Sequence, residues 1–561
     1  GTWLAQGLMD PLTLSAAFTS AQSVTDLSQA TSNSRQLVAN YGLQPGRGGF
    51  TLNLGSLVDH LPGFLRKTDA ANGIRKSFVN LAPTSVRLAS GFNRSQSDLL
   101  AFLVPVQRAS DSLLQPVASL QHTWRNAAGI TLQPLGMLSL SGDLASTRDL
   151  RHYADSTSIG RLAELSRMQL LGLDVGVERD RQLSSSMTLA PRFTSWLRPH
   201  FATTSAFLLL RSLTGRSPIQ EDGDTAGAFL LPQTLNNSRS NEIGAVVEAG
   251  RLAARLAGDS SGAGRVLRQL RPFSVTDRLT RGSTFDLATF DPSLGYQLGF
   301  GGLESFLYRG EDSAIVASEV RNTTMSGGAD LPFGLGISAS YTRTRASRFQ
   351  LTKDGFLTSE TLQTEWPKGS VRVTRTLRGT PIATAVLSLT AASVRGTSLV
   401  PSLGGPPVNT LTTRSSWTPD AQFMLRNGIA LHASYAILDQ LTDANGNQTE
   451  TNQRDLSADL AYAFHLPSSI NRGRQLVRSQ ATALSGRTTS CLTRQDTGCA
   501  SVSDTRRQEY RAGLDTELSR IVSGGLQFSY TLTEARHLNR KYSQIIITAS
   551  AQLSLFAGDY R

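Results

Sequence analysis

Apolar and polar residues alternate with a period of two along much of this chain. In 335–345 the odd positions carry Leu335, Ile337, Ala339 and Tyr341 before Arg343 and Arg345; the even positions carry Gly336, Ser338, Ser340, Thr342 and Thr344. In 522–533 Val522, Gly524, Leu526, Phe528, Tyr530 and Leu532 interleave with Ser523, Gly525, Gln527, Ser529, Thr531 and Thr533. In 545–557 Ile545, Ile547, Ala549, Ala551, Leu553 and Leu555 face Ile546, Thr548, Ser550, Gln552, Ser554 and Phe556. The segments 12–18, 138–144, 171–178, 383–391, 429–437, 458–466 and 510–518 repeat the pattern. Side chains alternate across a strand, so each run predicts a strand with one apolar and one polar face. Roughly 20 to 24 such strands are expected, with boundaries good to a few residues. Many runs reach about ten residues, beyond the usual five or six and close to what a tilted strand needs to cross a bilayer.

Turn signals separate the runs. Asp443-Ala444-Asn445-Gly446-Asn447 carries an Asn-Gly pair, and Asp354-Gly355 and Gly404-Gly405-Pro406-Pro407 mark other turns. Two stretches break the alternation. Residues 57–80 contain Leu61-Pro62-Gly63-Phe64-Leu65, and 242–271 space Ile243, Val246, Val247, Gly250 and Leu256 as a helix would. Both are expected to be short helical or irregular inserts, plugs or lids between strands.

Composition narrows the class. The chain has 561 residues, and only 17% are charged, against about 25% in soluble domains. Its mean hydropathy is -0.17, too low for a bundle of membrane helices. No window offers the roughly 18 apolar residues that a spanning helix needs. Within the runs, polar faces hold mostly Ser, Thr and Gly, and charges gather at run ends. Tyr341, Tyr435, Tyr462 and Tyr530 sit on apolar faces, which suits an interfacial aromatic girdle. Strands in lipid must close on themselves, since an open edge leaves backbone groups unpaired at several kcal/mol each. The expected fold is therefore an all-β, large transmembrane antiparallel β-barrel in the outer membrane, spanning 1–561 and in contact with outer-membrane lipids. The opening Gly1-Thr2-Trp3 has no initiator Met, so a mature chain or a fragment is expected. The terminal run ends near Phe556, Tyr560 and Arg561, as barrel strands recognised during assembly often end in an aromatic residue.

Charge adds less. The 55 basic residues against 43 acidic ones give a net charge of +12. Only Lys67, Lys76, Lys353, Lys368 and Lys541 are lysines; the rest are arginines, scattered without a compact basic helix. That argues against nucleic acid and leaves lipid phosphates or a polar channel as their partners. The charged candidates for lumen-facing positions are Asp174, Glu178, Arg372, Asp459, Arg511, Asp515 and Glu517. Cys491 and Cys499 lie close together in a polar segment and are expected to form a loop disulfide. No histidine neighbours them, and no metal site or cofactor is expected. The seven histidines are isolated. His465 with Asp459 and His432 with Ser434 fit lumen hydrogen bonds better than a catalytic triad. The segment Gly334-Leu335-Gly336 mimics a dinucleotide fingerprint but lies in an alternating strand with no following helix. No enzyme activity is expected.

Several local phrases go beyond a generic barrel. They are Leu144-Ala145-Ser146-Thr147-Arg148-Asp149-Leu150-Arg151, Val177-Glu178-Arg179-Asp180-Arg181, Trp196-Leu197-Arg198-Pro199, Phe290-Asp291-Pro292-Ser293-Leu294-Gly295-Tyr296, Glu365-Trp366-Pro367 before a strand, and the terminal Tyr542-Ser543-Gln544. Together they resemble the carboxy-terminal part of SprA-type proteins, the outer-membrane translocon of the type 9 secretion system. The resemblance implies part of a much larger single-chain barrel, a lateral opening, secreted cargo proteins and accessory secretion-system proteins as partners, and no catalytic residues. Physics alone leaves a lipopolysaccharide-assembly barrel and a receptor or porin barrel open. A structural β-protein of the cell surface is a further alternative, against which the irregular spacing speaks.

Overall fold

A computed structural model gives the fold. It describes residues 11–25, 28–44, 51–53, 78–80, 82–101, 117–153, 158–170, 172–191, 194–213, 219–220, 229–252, 268–402, 405–465, 476–494, 497–517 and 522–553. Among the described residues, twenty strands belong to one antiparallel sheet. In chain order they are β1 Leu12–Thr25, β2 Ser28–Leu43, β3 Pro83–Ala101, β4 Val117–Leu135, β5 Leu138–Asp149, β6 Val177–Leu189, β7 Leu197–Arg211, β8 Gln233–Val247, β9 Phe273–Phe285 and β10 Val316–Leu331. Then follow β11 Leu335–Thr352, β12 Gly355–Thr376, β13 Ile382–Ser402, β14 Gly405–Leu425, β15 Ala430–Ala444, β16 Asn447–His465, β17 Leu476–Arg494, β18 Thr497–Glu517, β19 Val522–Ala535 and β20 Arg540–Leu553. Consecutive strands pair, which makes a meander, the simplest arrangement for strands joined by hairpins.

The chain divides into two compact units. One comprises Gly1–Ala245, Asp277–Val320 and Ser347–Thr358; the other comprises Val246–Thr276, Arg321–Ala346 and Ser359–Arg561. Residues directly opposite each other share a face of the sheet, so register traces each face. In the first unit one row runs Leu12, Tyr41, Leu88, Ala128, Leu144, Leu183, Phe207. In the second a row runs Leu387, Ala421, Ala433, Ala458, Ala483, Tyr510, Tyr530, Ile545. We call this the aliphatic face and the opposite one the polar face. Leu14, Phe18, Leu387, Leu456, Leu526 and Ile547 are among the large apolar side chains left exposed on it.

The strands run from 12 to 22 residues, up to twice the expected length. The excess has a simple basis. The described part of every alternating run noted above, except 171–178, lies at the start of an odd-numbered strand or the end of an even-numbered one, while 466, 518 and 554–557 lie outside the described residues. In a meander those positions share one end of the sheet within each unit. Toward the other end the aliphatic face turns polar: on β3 it passes from Leu88 and Phe92 to Arg94, Gln96 and Asp98. β3 and the longer strands that carry these runs therefore combine a bilayer-length apolar half with a polar extension. Exposed apolar residues over a bilayer-length band, with backbone groups paired along the ladders, define the fold class as an all-β transmembrane antiparallel β-barrel of the outer membrane.

The polar end of the first unit carries folded inserts. Residues 286–315 hold two short helices, Leu294–Gln297 and Glu304–Leu307. They bring Tyr296 and Leu307 onto the aliphatic-face residues Phe207, Leu209, Leu235, Phe285 and Ala317. Tyr296 meets the rings of Phe207, Phe285 and Phe290 edge-on at 5.5–6.1 Å, the geometry that aromatic quadrupoles favour. A second cluster joins Ala163 of the helix Ser158–Leu165 to Val177 and Leu213.

Some expectations are corrected. Residues 172–178 do not form one continuous strand, and residue 171 lies outside the described residues. Leu173–Asp174 pairs with Gln169–Leu170 in a small hairpin, and β6 starts at Val177. Gly172 and Gly176 break the run with φ of 78° and 69°. At Gly176 a Cβ would lie 2.2 Å from the Asp149 carbonyl oxygen, so only glycine fits there. Ile243 and Val247 continue β8 and are not helical, because β-branched residues satisfy a ladder as readily as a short helical period. Within 242–271 residues 249–252 are helical, and 253–267 lie outside the described residues. Most of 57–80 also lies outside them; Phe78–Asn80 is a short strand. Glu365-Trp366-Pro367 sits inside β12 at a register shift, where a proline without an N–H is tolerated. The Asn-Gly signal holds: Asn445 and Gly446 take φ of 51° and 86°, as a tight hairpin turn of mirror-image type requires.

Candidate functional site: the polar face

In the second unit register collects most of the charged candidates on one face. Arg372 stands opposite Ser388, which stands opposite Asp420. His432 stands opposite Asp459, then Thr482, Arg511 and Ser529 follow in line. Asp515 stands opposite Arg478 two steps along, and Glu517 continues the same alternation on β18. The strands hold these groups apart at fixed steps because alternate residues of each ladder project to the same side.

The side chains form a cross-strand network. His432 places Nδ1 3.0 Å from Asp459 Oδ2, and its Nε2 contacts Asp420. Ser388 Oγ donates to Asp420 Oδ1 at 3.2 Å. The buried Glu509 accepts from Arg507 Nη2 at 2.7 Å and also pairs with Arg511. The pairings anticipated within single strands, His432 with Ser434 and His465 with Asp459, give way to this cross-strand arrangement. Asp420, Glu509 and Arg507 were missed. Their signal was present, since 417–425 and 505–517 alternate like the other runs, but register between strands is not written in either strand alone.

The remaining two candidates lie elsewhere. Asp174 belongs to the insert hairpin. Its carboxylate accepts from the Gly176 amide at 2.9 Å and pairs with Arg167. Burial works against its charge, but the Gly176 amide and the Arg167 guanidinium outweigh it and hold the carboxyl below its usual range. Glu178 is buried on β6, where a register shift between Glu178 and Asp180 turns it to the side of Ser146. That is the aliphatic face, and there Glu178 accepts from Arg181 at 2.8 and 2.7 Å and from Ser146 at 3.1 Å. The bulge defeats simple alternation. Neither residue joins the five in the second unit.

Close by, Asp149 is fully buried and accepts from Arg151 Nη2 at 2.6 Å and Tyr153 Oη at 2.9 Å. Burial, reinforced by the Asp149 carboxylate, pushes the Tyr153 hydroxyl up to about 12. The quoted phrases 144–151 and 177–181 meet at this point, with Val177 opposite Asp149. Cys491 and Cys499 are joined as a disulfide across the β17–β18 hairpin, with Cα atoms 5.5 Å apart.

No protein-family model matches the chain, and no curated protein matches it. Among solved structures, the β domain of the Bordetella autotransporter BrkA aligns over 43% of this chain and 92% of its own at 14% identity, TM-score 0.19. The siderophore receptor PirA from Acinetobacter baumannii aligns over 96% and 80% at 9% identity, TM-score 0.26. A point mutant of the ferric enterobactin receptor PfeA from Pseudomonas aeruginosa aligns over 92% and 74% at 10% identity, TM-score 0.23.

Proposed function

We propose that this chain is the wall of an outer-membrane transport channel, and that its polar face lines an aqueous passage. The observation that carries this reading is the division of the strands traced by register into two chemically distinct faces. One is aliphatic over a bilayer-length half; the other carries Arg372, Asp420, His432, Asp459, Arg511 and Asp515 in register, with His432 hydrogen-bonded to Asp420 and Asp459. Alternating opposite charges on small polar neighbours hydrate a passage without binding any one solute tightly, which suits passive conduction. The resemblance to SprA-type translocons makes secreted proteins the cargo and accessory secretion-system proteins the partners. Reconstituted full-length protein should give channel currents in planar bilayers and pass a cargo protein into loaded vesicles. Neither current nor passage would refute conduction. Current with small solutes alone would refute the translocon.

A receptor-type barrel is the second reading. It is favoured by the insert 286–315, which is held to the strands by a shared apolar core and could present a ligand surface from there. A lipopolysaccharide-assembly barrel would instead move lipid, and transfer of labelled lipopolysaccharide between vesicles separates it from both.

A further inference from the structure

Arg35 on β2 stands directly opposite Arg94 on β3, and Arg94 stands directly opposite His122 on β4. All three lie on the aliphatic face, one step beyond its apolar half. The step before them holds Leu37, Phe92 and Trp124, and the last two rings stack at 5.2 Å. Both arginines are exposed. Like charges directly opposite on a sheet repel each other. The second unit repeats the motif with its charges balanced: Arg454, Arg487 and Arg506 stand in one row, but Asp439 takes Arg454 at 2.6 Å and Asp504 takes Arg487 at 2.9 Å. Among the described residues, Arg35 and Arg94 have no carboxylate partner. The acid further along that face, Asp98, accepts instead from Gln96 at 3.3 Å. Phe18, Asn33, Arg35, Arg94 and Gln96 line a groove of about 530 Å³.

We propose that this groove binds the phosphate of an anionic lipid headgroup. One phosphate offers oxygens to two guanidinium forks and removes their repulsion. The amides of Asn33 and Gln96 supply neutral donors beside it. Phe18, directly opposite Arg35, and Phe92, one step into the apolar half, are both exposed and would contact the glycerol and upper acyl region. A free phosphate would gain nothing from those rings, so the apolar side of the groove selects a lipid. The inference rests on the membrane reading above.

The test uses the full chain in phosphatidylcholine vesicles with spin-labelled phosphatidylglycerol and spin-labelled phosphatidylcholine. The electron paramagnetic resonance signal of immobilised lipid gives their relative association. The native chain should prefer phosphatidylglycerol, and that preference should fall by about five-fold per arginine removed in Arg35→Gln/Arg94→Gln. Arg125→Gln, which removes one charge from the other face of β4, should leave it unchanged. An unaltered preference in the double variant, or full displacement of the labelled phosphatidylglycerol by equimolar inorganic phosphate, would overturn the proposal. A native chain that fails to float with vesicles would overturn the membrane reading as well; one that floats without lipid preference overturns this inference alone.

Discussion

Neighbouring residues on one strand of this sheet have opposite surroundings, so single substitutions separate its two faces. Arg506 stands opposite Arg487 on the aliphatic face, and Arg507 pairs with Glu509 on the polar face. Arg507→Glu should shift the permeability ratio toward cations by roughly two-fold or more if the polar face lines the passage. Arg506→Glu should leave it unchanged. The reversal potential of bilayer currents under a salt gradient reads both. At the insert, Tyr153 gives a pH dependence of definite sign. Its folded-state ionisation lies at about 12, above the ordinary 10.0, so the neutral hydroxyl is the form the fold favours. Its contribution is fully present below pH 10 and is lost as pH rises through 12. Tyr153→Phe should lose less insert stability across that window, measured by limited proteolysis at stepped pH.

At the scale of elements, a strand's apolar half and the insert core obey different physics. Leu526 lies on the aliphatic face of β19 and Gln527 on the polar one. Leu526→Arg should cost about 2–4 kcal/mol in lipid, and Gln527→Arg should stay within about 0.5 kcal/mol. Denaturant unfolding from vesicles checks the difference. Phe285, at the end of β9, is completely buried in the core that joins insert 286–315 to the strands. Phe285→Ala should cost about 3–5 kcal/mol and expose the insert to protease while the second unit remains resistant. The strands were legible because alternation is local: Leu526, Phe528 and Tyr530 announce a face without help from any other part of the chain. The insert was not. Its helices Leu294–Gln297 and Glu304–Leu307 are too short to show a period, and Tyr296, Phe290 and Leu307 find each other only after the strands are paired. Glu178 shows the same limit, since one bulge moves it to the opposite face from the one alternation assigns.

For the whole molecule, the sheet reconciles strands longer than a bilayer with a chain of low charge and middling hydropathy. The apolar halves supply the lipid face, and the extensions, inserts and polar rows supply the rest. Strand number was legible to within a few, because hairpin signals such as Asn445-Gly446 punctuate the runs. The rows of the polar face were not, because His432, Asp420 and Asp459 come from three strands. The central claim is that the two faces meet lipid and water. Spin labels placed singly at Leu526, Gln527, Phe528 and Ser529 in vesicle-reconstituted protein test it most directly. Labels at 526 and 528 should collide with dissolved oxygen, and those at 527 and 529 with a water-soluble nickel chelate. Uniform collision with either probe along all four positions would contradict the account.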